Sequence, residues 1–175
     1  MTLALVMALR LCEAQAAVEA SAVYGLSGRP AFGALVGGTW SWDWAEFGLL
    51  GGYQAEPYVL YEHYLQGARV TGATHRVQVL ATAGASWKVW RLALGAQLVG
   101  GWSHVVLHGT FVNEKWGVSG ALDTAAGAFT LGAGLRITLR LSEHLDLSLR
   151  GLVPLPFASG VTGYATFALG VAYRF

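Results

Sequence analysis

Apolar and polar residues alternate along most of this chain with a period of two. In the last segment every second residue from Ala165 to Phe175 is apolar, while the residues between them include Gly170 and Arg174. Successive side chains of a β-strand point to opposite faces, so this pattern predicts a strand with one apolar face and one mixed face. An apolar helix is the alternative for this region, but two prolines and three glycines between residues 154 and 170 disfavour it.

The same alternation recurs in seven further segments, so we predict eight strands. They lie at about residues 18–24, 32–40, 46–54, 76–83, 91–103, 129–141, 145–150 and 164–175. No Asp, Glu, Lys or Arg falls on any of the apolar faces. The opposite faces carry the charged residues that we predict to form a network in the lumen: Glu19, Glu46, Arg76, Arg91, Arg136, Arg140, Asp146, Arg150 and Arg174.

This sidedness favours strands in a membrane over a soluble barrel. A soluble barrel fills its interior with bulky apolar side chains, whereas the polar faces of this chain are rich in Gly, Ala, Ser and Thr. In lipid every backbone polar group needs a partner within the protein, and strands achieve this only by closing into a barrel. We therefore expect an all-β fold, an eight-stranded antiparallel up-and-down transmembrane β-barrel.

Composition agrees with a membrane barrel and excludes other classes. The 175 residues are 54% hydrophobic, and only 12% are charged, against about 25% in soluble domains. Seven residues each of Trp, Tyr and Phe exclude a disordered chain. The net charge of +1 provides no basic field for nucleic acid. A single cysteine excludes a disulfide scaffold.

The beginning of the chain resembles a processing segment. An apolar run over residues 2–9 precedes Ala14-Gln15-Ala16, a small-x-small site. This pattern predicts a secretory signal peptide over residues 1–16, followed by the barrel over residues 17–175. A retained helix and acylation of Cys12 are the alternatives, and Leu11 stands where a lipoprotein signal has a small residue.

Connection lengths predict the orientation of the barrel. The connections near residues 41–43, 86–88 and 142–144 are short, whereas those at 55–73 and 105–124 are long. Two more connections, 26–29 and 154–159, are short but lie at the same end as the long ones. Bacterial barrels have short periplasmic turns and longer outer loops, so the long connections are expected outside the cell.

Aromatic residues cluster at both ends of the predicted strands, as an interfacial belt requires. The predicted girdle consists of Trp40, Trp42, Trp44, Trp87, Trp90, Tyr173 and Phe175 at the short-turn end, and Tyr24, Tyr53 and Trp102 at the other.

With its eight segments, signal peptide and aromatic C-terminal strand, residues 17–175 resemble the small outer-membrane barrels of the OmpA/OmpX type. The resemblance implies a location in the outer membrane, among phospholipid and lipopolysaccharide. It also implies that the strand ending at Phe175 is read by the barrel assembly machinery. It does not imply an activity, because this fold carries structural proteins, adhesins and a few enzymes. We expect a structural or surface-interaction role, with an extracellular or envelope protein as a possible partner.

Three candidate chemistries remain. An eight-stranded barrel is just wide enough for its side chains to fill, so the lumen charges predict a closed polar plug, with a narrow pore as the alternative. Tyr58, Tyr61 and Tyr64 in the first long connection are candidates for partner binding, and a protruding strand pair is the alternative there.

A lipid A-modifying enzyme is the third candidate, because Ser103, His104, His108, Glu114 and Asp123 lie near the second long connection. Neighbouring residues of a strand point to opposite faces, so Ser103 and His104 are not expected to meet. A metal pair of His104 and His108 lacks a third ligand at suitable spacing. We therefore predict no catalytic site, no metal and no cofactor.

Overall fold

The structure, a computed structural model, describes residues 15–26, 30–62, 68–157 and 164–175, the side chains of residues 58–62 excepted. Almost all of these residues lie in eight β-strands. The strands are β1 (Gln15–Leu26), β2 (Pro30–Trp42), β3 (Ala45–Glu62), β4 (Ala68–Val89), β5 (Leu92–Asn113), β6 (Val118–Arg140), β7 (Leu145–Pro156) and β8 (Ala165–Arg174). The predicted signal peptide falls outside the described residues except for Gln15 and Ala16, and it stays a prediction.

The strands form one closed antiparallel barrel in which each strand pairs with its neighbours in sequence. The ring closes between β1 and β8, which pair from Ala17 and Arg174 to Leu26 and Ala165. The predicted fold class, an eight-stranded up-and-down barrel, is confirmed. Within the described part of the chain no helix is long and apolar enough to cross a membrane.

The predicted division of each strand into an apolar face and a polar face is found around the barrel. Residues of the apolar faces point outward, and Leu98 and Leu135 each expose 67% of their surface. On the same strands, Val99 and Arg136 point inward and are buried. The exterior surface of the barrel is therefore apolar, and polar residues line its narrow interior.

The sequence pattern underestimated the strand lengths of β3 to β6, which contain 18 to 23 residues. The predicted long loops are mostly paired strand, because β3 and β4 pair up to Glu62 and Ala68, and β5 and β6 up to Asn113 and Val118. The protruding strand pair, the alternative for residues 55–73, is confirmed. For residues 105–124 the loop prediction is wrong, and only 114–117 form a turn.

One short turn lies elsewhere than predicted. The β4–β5 turn is at Trp90 and Arg91 and not near residues 86–88, because the ladder continues to the pair Val89 and Leu92. Trp90 has a positive φ of 55° and Asp43, in the β2–β3 turn, one of 56°. Both turns contain two residues between their strands.

Two prolines lie inside β7, where the sequence predicted a loop. The N–H of Phe157 bonds to Phe129 on β6, so residues of even number on β7 direct their nitrogens towards β8. Among the described residues the β7–β8 ladder ends at Leu152, so Pro154 and Pro156 lie beyond its last described pair. Their missing N–H groups therefore remove no hydrogen bond from the described part of this ladder.

Four of the strands extend far beyond the others at one end. Residues 55–62, 68–75, 104–113 and 118–127 form a continuous four-stranded sheet, which we call the extended sheet. From Trp102 to Asn113 the chain rises about 35 Å along β5. We call the opposite end, with its three tight connections, the short-turn end.

The narrow interior requires glycine at several inward positions. A Cβ atom on Gly132 would press against the backbone carbonyl of Val153 on the neighbouring strand, whereas one on Gly120, in the extended part of the same strand, would meet nothing within 4 Å.

We therefore expect Gly132→Ala to destabilise the barrel by about 1–3 kcal/mol, the usual cost of overpacking. Gly120→Ala is the matched control and should change stability by less than about 0.5 kcal/mol. The measurement is urea unfolding of the refolded barrel, followed by the mobility difference between unboiled and boiled samples on a gel. Equal effects of the two substitutions would contradict the close approach of β6 and β7.

Candidate functional site

The interior contains three layers along the barrel axis. Nearest the short-turn end is a charged layer centred on Glu19, whose surface is only 1% exposed. Oε2 of Glu19 accepts hydrogen bonds from Nη2 of Arg150 at 2.9 Å and Nη2 of Arg136 at 3.1 Å. The Oγ atoms of Ser148 and Ser21 donate to Oε1 at 2.7 and 3.0 Å. Both oxygens of this carboxylate thus accept two hydrogen bonds each within the protein.

The charged layer is neutral as a whole. Arg136 also donates to Oε1 of Glu46 at 2.6 Å, and Arg150 donates to Oε1 of Gln97 at 3.2 Å. Two carboxylates therefore balance two guanidinium groups. This balance matters because an unpaired buried charge costs several kcal/mol.

The middle layer is apolar and blocks the lumen. It consists of Val23, Leu35, Leu50, Leu80, Val99, Leu152 and Ala168, each with at most 4% of its surface exposed. Towards the extended sheet, a second polar layer follows. There the guanidinium of Arg76 lies 3.7 Å from the ring centre of Tyr164 and donates to Gln54 at 3.4 Å. Gln54 donates to Thr166 at 3.1 Å, and the Tyr164 hydroxyl donates to Gln78.

The predicted network of lumen charges is thus divided between separate places. Four of its nine residues form the charged layer, and Arg76 lies alone in the second polar layer. Arg174 and Asp146 form an ion pair of 2.8 Å nearer the short-turn end. Arg91 and Arg140 are exposed at the rim, since both lie where a strand ends.

The short-turn end opens into a cavity of about 310 Å³, which we call the mouth cavity. Its floor includes Arg136 and Glu46 of the charged layer, and its rim includes Lys88, Arg91 and Arg140. The rest of the charged layer and the apolar layer lie behind that floor, so the mouth cavity is a pocket and not a channel entrance.

The predicted girdle residues lie in two exterior bands. Around the short-turn end Trp40, Trp44, Trp87, Tyr173 and Phe175 are between 49% and 75% exposed, and Trp42 is half-buried. Trp90 is 89% exposed and also lines the mouth cavity. Tyr24, Tyr53 and Trp102 form the other band, with exposures between 40% and 52%.

The three tyrosines predicted for partner binding are only partly described. Tyr58 and Tyr61 are ladder residues of β3, paired with Gly72 and Arg69. Tyr64 lies outside the described residues. Tyr58 and Tyr61 therefore lie within the extended sheet, on the β3–β4 ladder.

Sequence reasoning missed a row of polar groups across the outer face of this sheet. The Tyr53 hydroxyl is hydrogen-bonded to Nδ1 of His75 at 2.6 Å, and Nδ1 of His108 lies 2.7 Å from Oδ1 of Asp123. The rings of His75 and His108 lie 5.9 Å apart. These residues are far apart in sequence, and only the strand register brings them together.

Trp116 is a second residue that no sequence pattern singled out. Its side chain is 66% exposed in the β5–β6 turn at the tip of the extended sheet. Its backbone N–H donates to Oδ1 of Asn113 at 3.3 Å, and Gly117 completes the turn with a φ of 62°.

The residues predicted as a weak catalytic candidate do not meet. Ser103 is fully buried on the lumen side, whereas His104, the next residue, is exposed on the outer face. His108 and Asp123 form a His–carboxylate pair, but no serine hydroxyl bonds to His108 among the described residues. Nor does that part of the chain hold three or more His, Cys, Asp or Glu side chains arranged for a metal ion.

Comparison with known proteins supports the architecture alone. No protein-family model and no curated protein sequence matches this chain. Among solved structures, it is similar to a major outer membrane protein from Thermus thermophilus, with a TM-score of 0.61, 16% identity, and coverage of 93% of this chain and 99% of that one.

OprG from Pseudomonas aeruginosa matches with a TM-score of 0.58 and 11% identity, over 92% of this chain and 95% of that one. Ail of Yersinia pestis, in complex with the heparin analogue sucrose octasulfate, matches with a TM-score of 0.54 and 12% identity, over 93% of this chain and 97% of that one. The chain therefore has the fold of the small eight-stranded outer-membrane barrels.

The hydrogen bonds of the charged layer predict that Glu19→Gln destabilises the barrel. The substitution keeps the shape of the side chain but leaves Arg136 and Arg150 with one carboxylate between them. We expect a loss of about 3–5 kcal/mol of unfolding free energy, measured by urea unfolding of the refolded barrel. Glu143→Gln, at an exposed turn, is the control and should cost less than about 0.5 kcal/mol. A loss of unfolding free energy as small as that of the control would contradict the buried pairing of Glu19 with Arg136 and Arg150.

Proposed function

We propose that this protein is an integral outer-membrane β-barrel that holds the extended sheet above the outer leaflet as an interaction surface. In this proposal the barrel is an anchor. The surface role belongs to β3 to β6, where they rise beyond the exterior aromatic band.

The exterior of the barrel supports the membrane location. On β2, Phe32 packs against Tyr24 of one aromatic band, with 5.4 Å between the ring centres, and Trp40 belongs to the other band eight residues away. This separation is about 27 Å along the strand and, at the usual strand tilt, about 20 Å across the membrane. Between the bands the outward residues are apolar, and Val36 exposes 58% of its surface. Water would disfavour such a surface, whereas acyl chains accommodate it.

The observation that carries the interaction role is the extended sheet itself. Four strands stay paired well beyond the exterior band, although no membrane surrounds them there. Val118 and Leu122, which share one face of β6 near the tip, expose 49% and 40% of their surfaces, and Trp116 in the adjoining turn exposes 66%. Exposed apolar patches on a folded protein mark interaction sites, and Trp is enriched among residues that dominate binding.

The interior supports an anchor over a pore. A conducting lumen needs a continuous polar path, but Leu35, Leu50 and Leu80 fill the cross-section between the two polar layers. The exposed side of the sheet supports binding over catalysis, since His108 and Asp123 have no nucleophile beside them among the described residues.

Charge indicates the chemistry of the partner. Residues 55–75 and 104–127 contain two cations, Arg69 and Lys115, and four acids, Glu56, Glu62, Glu114 and Asp123. A sulfated polyanion such as the ligand seen with Ail is therefore disfavoured for this chain. The apolar tip fits a protein partner better.

Two lysines test the location and orientation of the barrel. The chain has only Lys88, at the short-turn end, and Lys115, in the β5–β6 turn. A membrane-impermeant amine reagent applied to intact cells should label the protein through Lys115. Lys115→Arg should abolish this labelling, whereas Lys88→Arg, the matched control, should leave it unchanged. Labelling that depends on Lys88 would reverse the orientation, and labelling of neither lysine would contradict surface display.

The interaction role is tested at Trp116. A photo-crosslinking amino acid in place of Trp116 should yield a discrete adduct with a protein on intact cells. The same amino acid at Leu135, which faces lipid in this proposal, is the control and should yield no protein adduct. Adding Leu122→Ser to the Trp116 variant should reduce the adduct at least about fivefold, since it removes part of the apolar patch. Absence of any adduct from a surface-displayed protein would contradict the interaction role.

A further inference from the structure

The mouth cavity carries an excess of positive charge. Five cationic side chains line it, and only two carboxylates do. Arg136 is paired with Glu46 at 2.6 Å, and Arg174 with Asp146 at 2.8 Å. The remaining cations are Lys88, Arg91 and Arg140, and no carboxylate in the described part of the chain lies within salt-bridge distance of them.

These three cations lie on one wall of the cavity. Lys88 is next to the end of β4, Arg91 is in the following turn, and Arg140 is the last residue of β6. The backbone N–H of Arg140 donates to the carbonyl of Arg91 at 2.8 Å, which holds the two segments together. Asp146 is the register partner of Arg140, but its Oδ2 atom is engaged by Arg174.

Other acids at this end do not restore the balance inside the cavity. Asp43 and Glu143 lie on the turns and are not part of the lining. Glu19 is behind the floor, where Arg150 and Arg136 already compensate it. Three like charges on one wall repel each other, so their mutual interaction does not stabilise the barrel. It does concentrate anions, because a cleft lined by one sign of charge focuses its field.

We propose that the mouth cavity is a binding site for a small phosphate-bearing anion. Arginine side chains bind phosphate oxygens through two parallel hydrogen bonds, and a lysine adds a point charge. The volume of about 310 Å³ is within the range of small-ligand pockets. Because the floor is sealed, the anion is held at the mouth and does not pass through the barrel.

Trp90 gives the site an apolar edge. Its indole lies 5.4 Å from the guanidinium carbon of Arg91, close enough for a cation–π contact that orients the Arg91 side chain. Through this contact Trp90 is a positioning residue, and its fluorescence should report occupation of the site.

The test uses the purified full-length mature barrel in nanodiscs of zwitterionic phosphatidylcholine at low ionic strength. Titration with inorganic pyrophosphate in a calorimeter should show saturable binding at a single site. The variant K88Q/R91Q/R140Q should bind at least about tenfold more weakly, because the charge-assisted hydrogen bonds are lost. Binding should also weaken with added salt, since the rim is exposed to solvent.

The control variant R69Q/K115Q removes both cations of the extended sheet and should bind as the wild type does. Each variant is first checked for folding by the mobility shift on heating. If the triple variant does not fold, the single variants K88Q and R140Q, whose side chains are exposed at the rim, replace it. Absence of saturable binding by the wild type, or equal binding by the folded cavity variants, would overturn the proposal.

The source of the phosphate is decided by a second set of nanodiscs that contain phosphatidylglycerol. If this lipid weakens pyrophosphate binding by a larger factor for the wild type than for the single variant K88Q, an anionic headgroup of the adjoining leaflet competes for the site, because repulsion by the charged bilayer acts on both proteins equally. If the two factors are equal, the ligand is a soluble phosphate compound. Both results support the site. This experiment does not depend on the orientation of the barrel in cells, so it succeeds or fails independently of the lysine labelling.

Discussion

The pairing of β1 with β8 is the interaction on which the rest of the structure depends. It joins the two ends of an eight-stranded sheet, so the backbone groups of every strand find partners around the ring. Closure with only eight strands leaves an interior that side chains fill. Glycine is then required where strands approach closely, as at Gly132, and the remaining inward side chains must match one another in size and charge.

The layered interior follows from this confinement. A carboxylate such as Glu19 is stable in so narrow a space only if donors surround it, and two arginines and two serines supply them. The apolar layer excludes water from the inner side of these ion pairs, which strengthens the electrostatic attraction there. The polar groups around Arg76 then form a second network on the side of the extended sheet. The interior is therefore specified by charge balance as much as by packing.

Much of this could be predicted from the sequence, because alternation is a local signal. On β6, the alternation alone correctly assigns every second residue from Phe129 to Leu141 to the outward face. It also assigns Arg136 and Arg140 to the inward face. What could not be predicted depends on register. The contact of Tyr53 with His75 requires β3 and β4 to pair in one particular alignment. Strand length was also underestimated, since Gly- and Ala-rich segments such as 120–127 lack the bulky apolar residues that mark a strand in lipid.

This Gly- and Ala-rich composition distinguishes the extended sheet from the closed part of the barrel. Within the barrel, the filled lumen packs against one face of each strand, and in the membrane location that we propose lipid covers the other. In the part of β6 that precedes Phe129, the partner of Trp102, the strand pairs only with β5 among the described residues. Its residues 118–126 are exposed. A long unpaired strand edge is normally a liability, because it offers free N–H and C=O groups to other chains. Such an edge, beside the exposed side chain of Trp116, supports the proposed role of the extended sheet as an interaction surface.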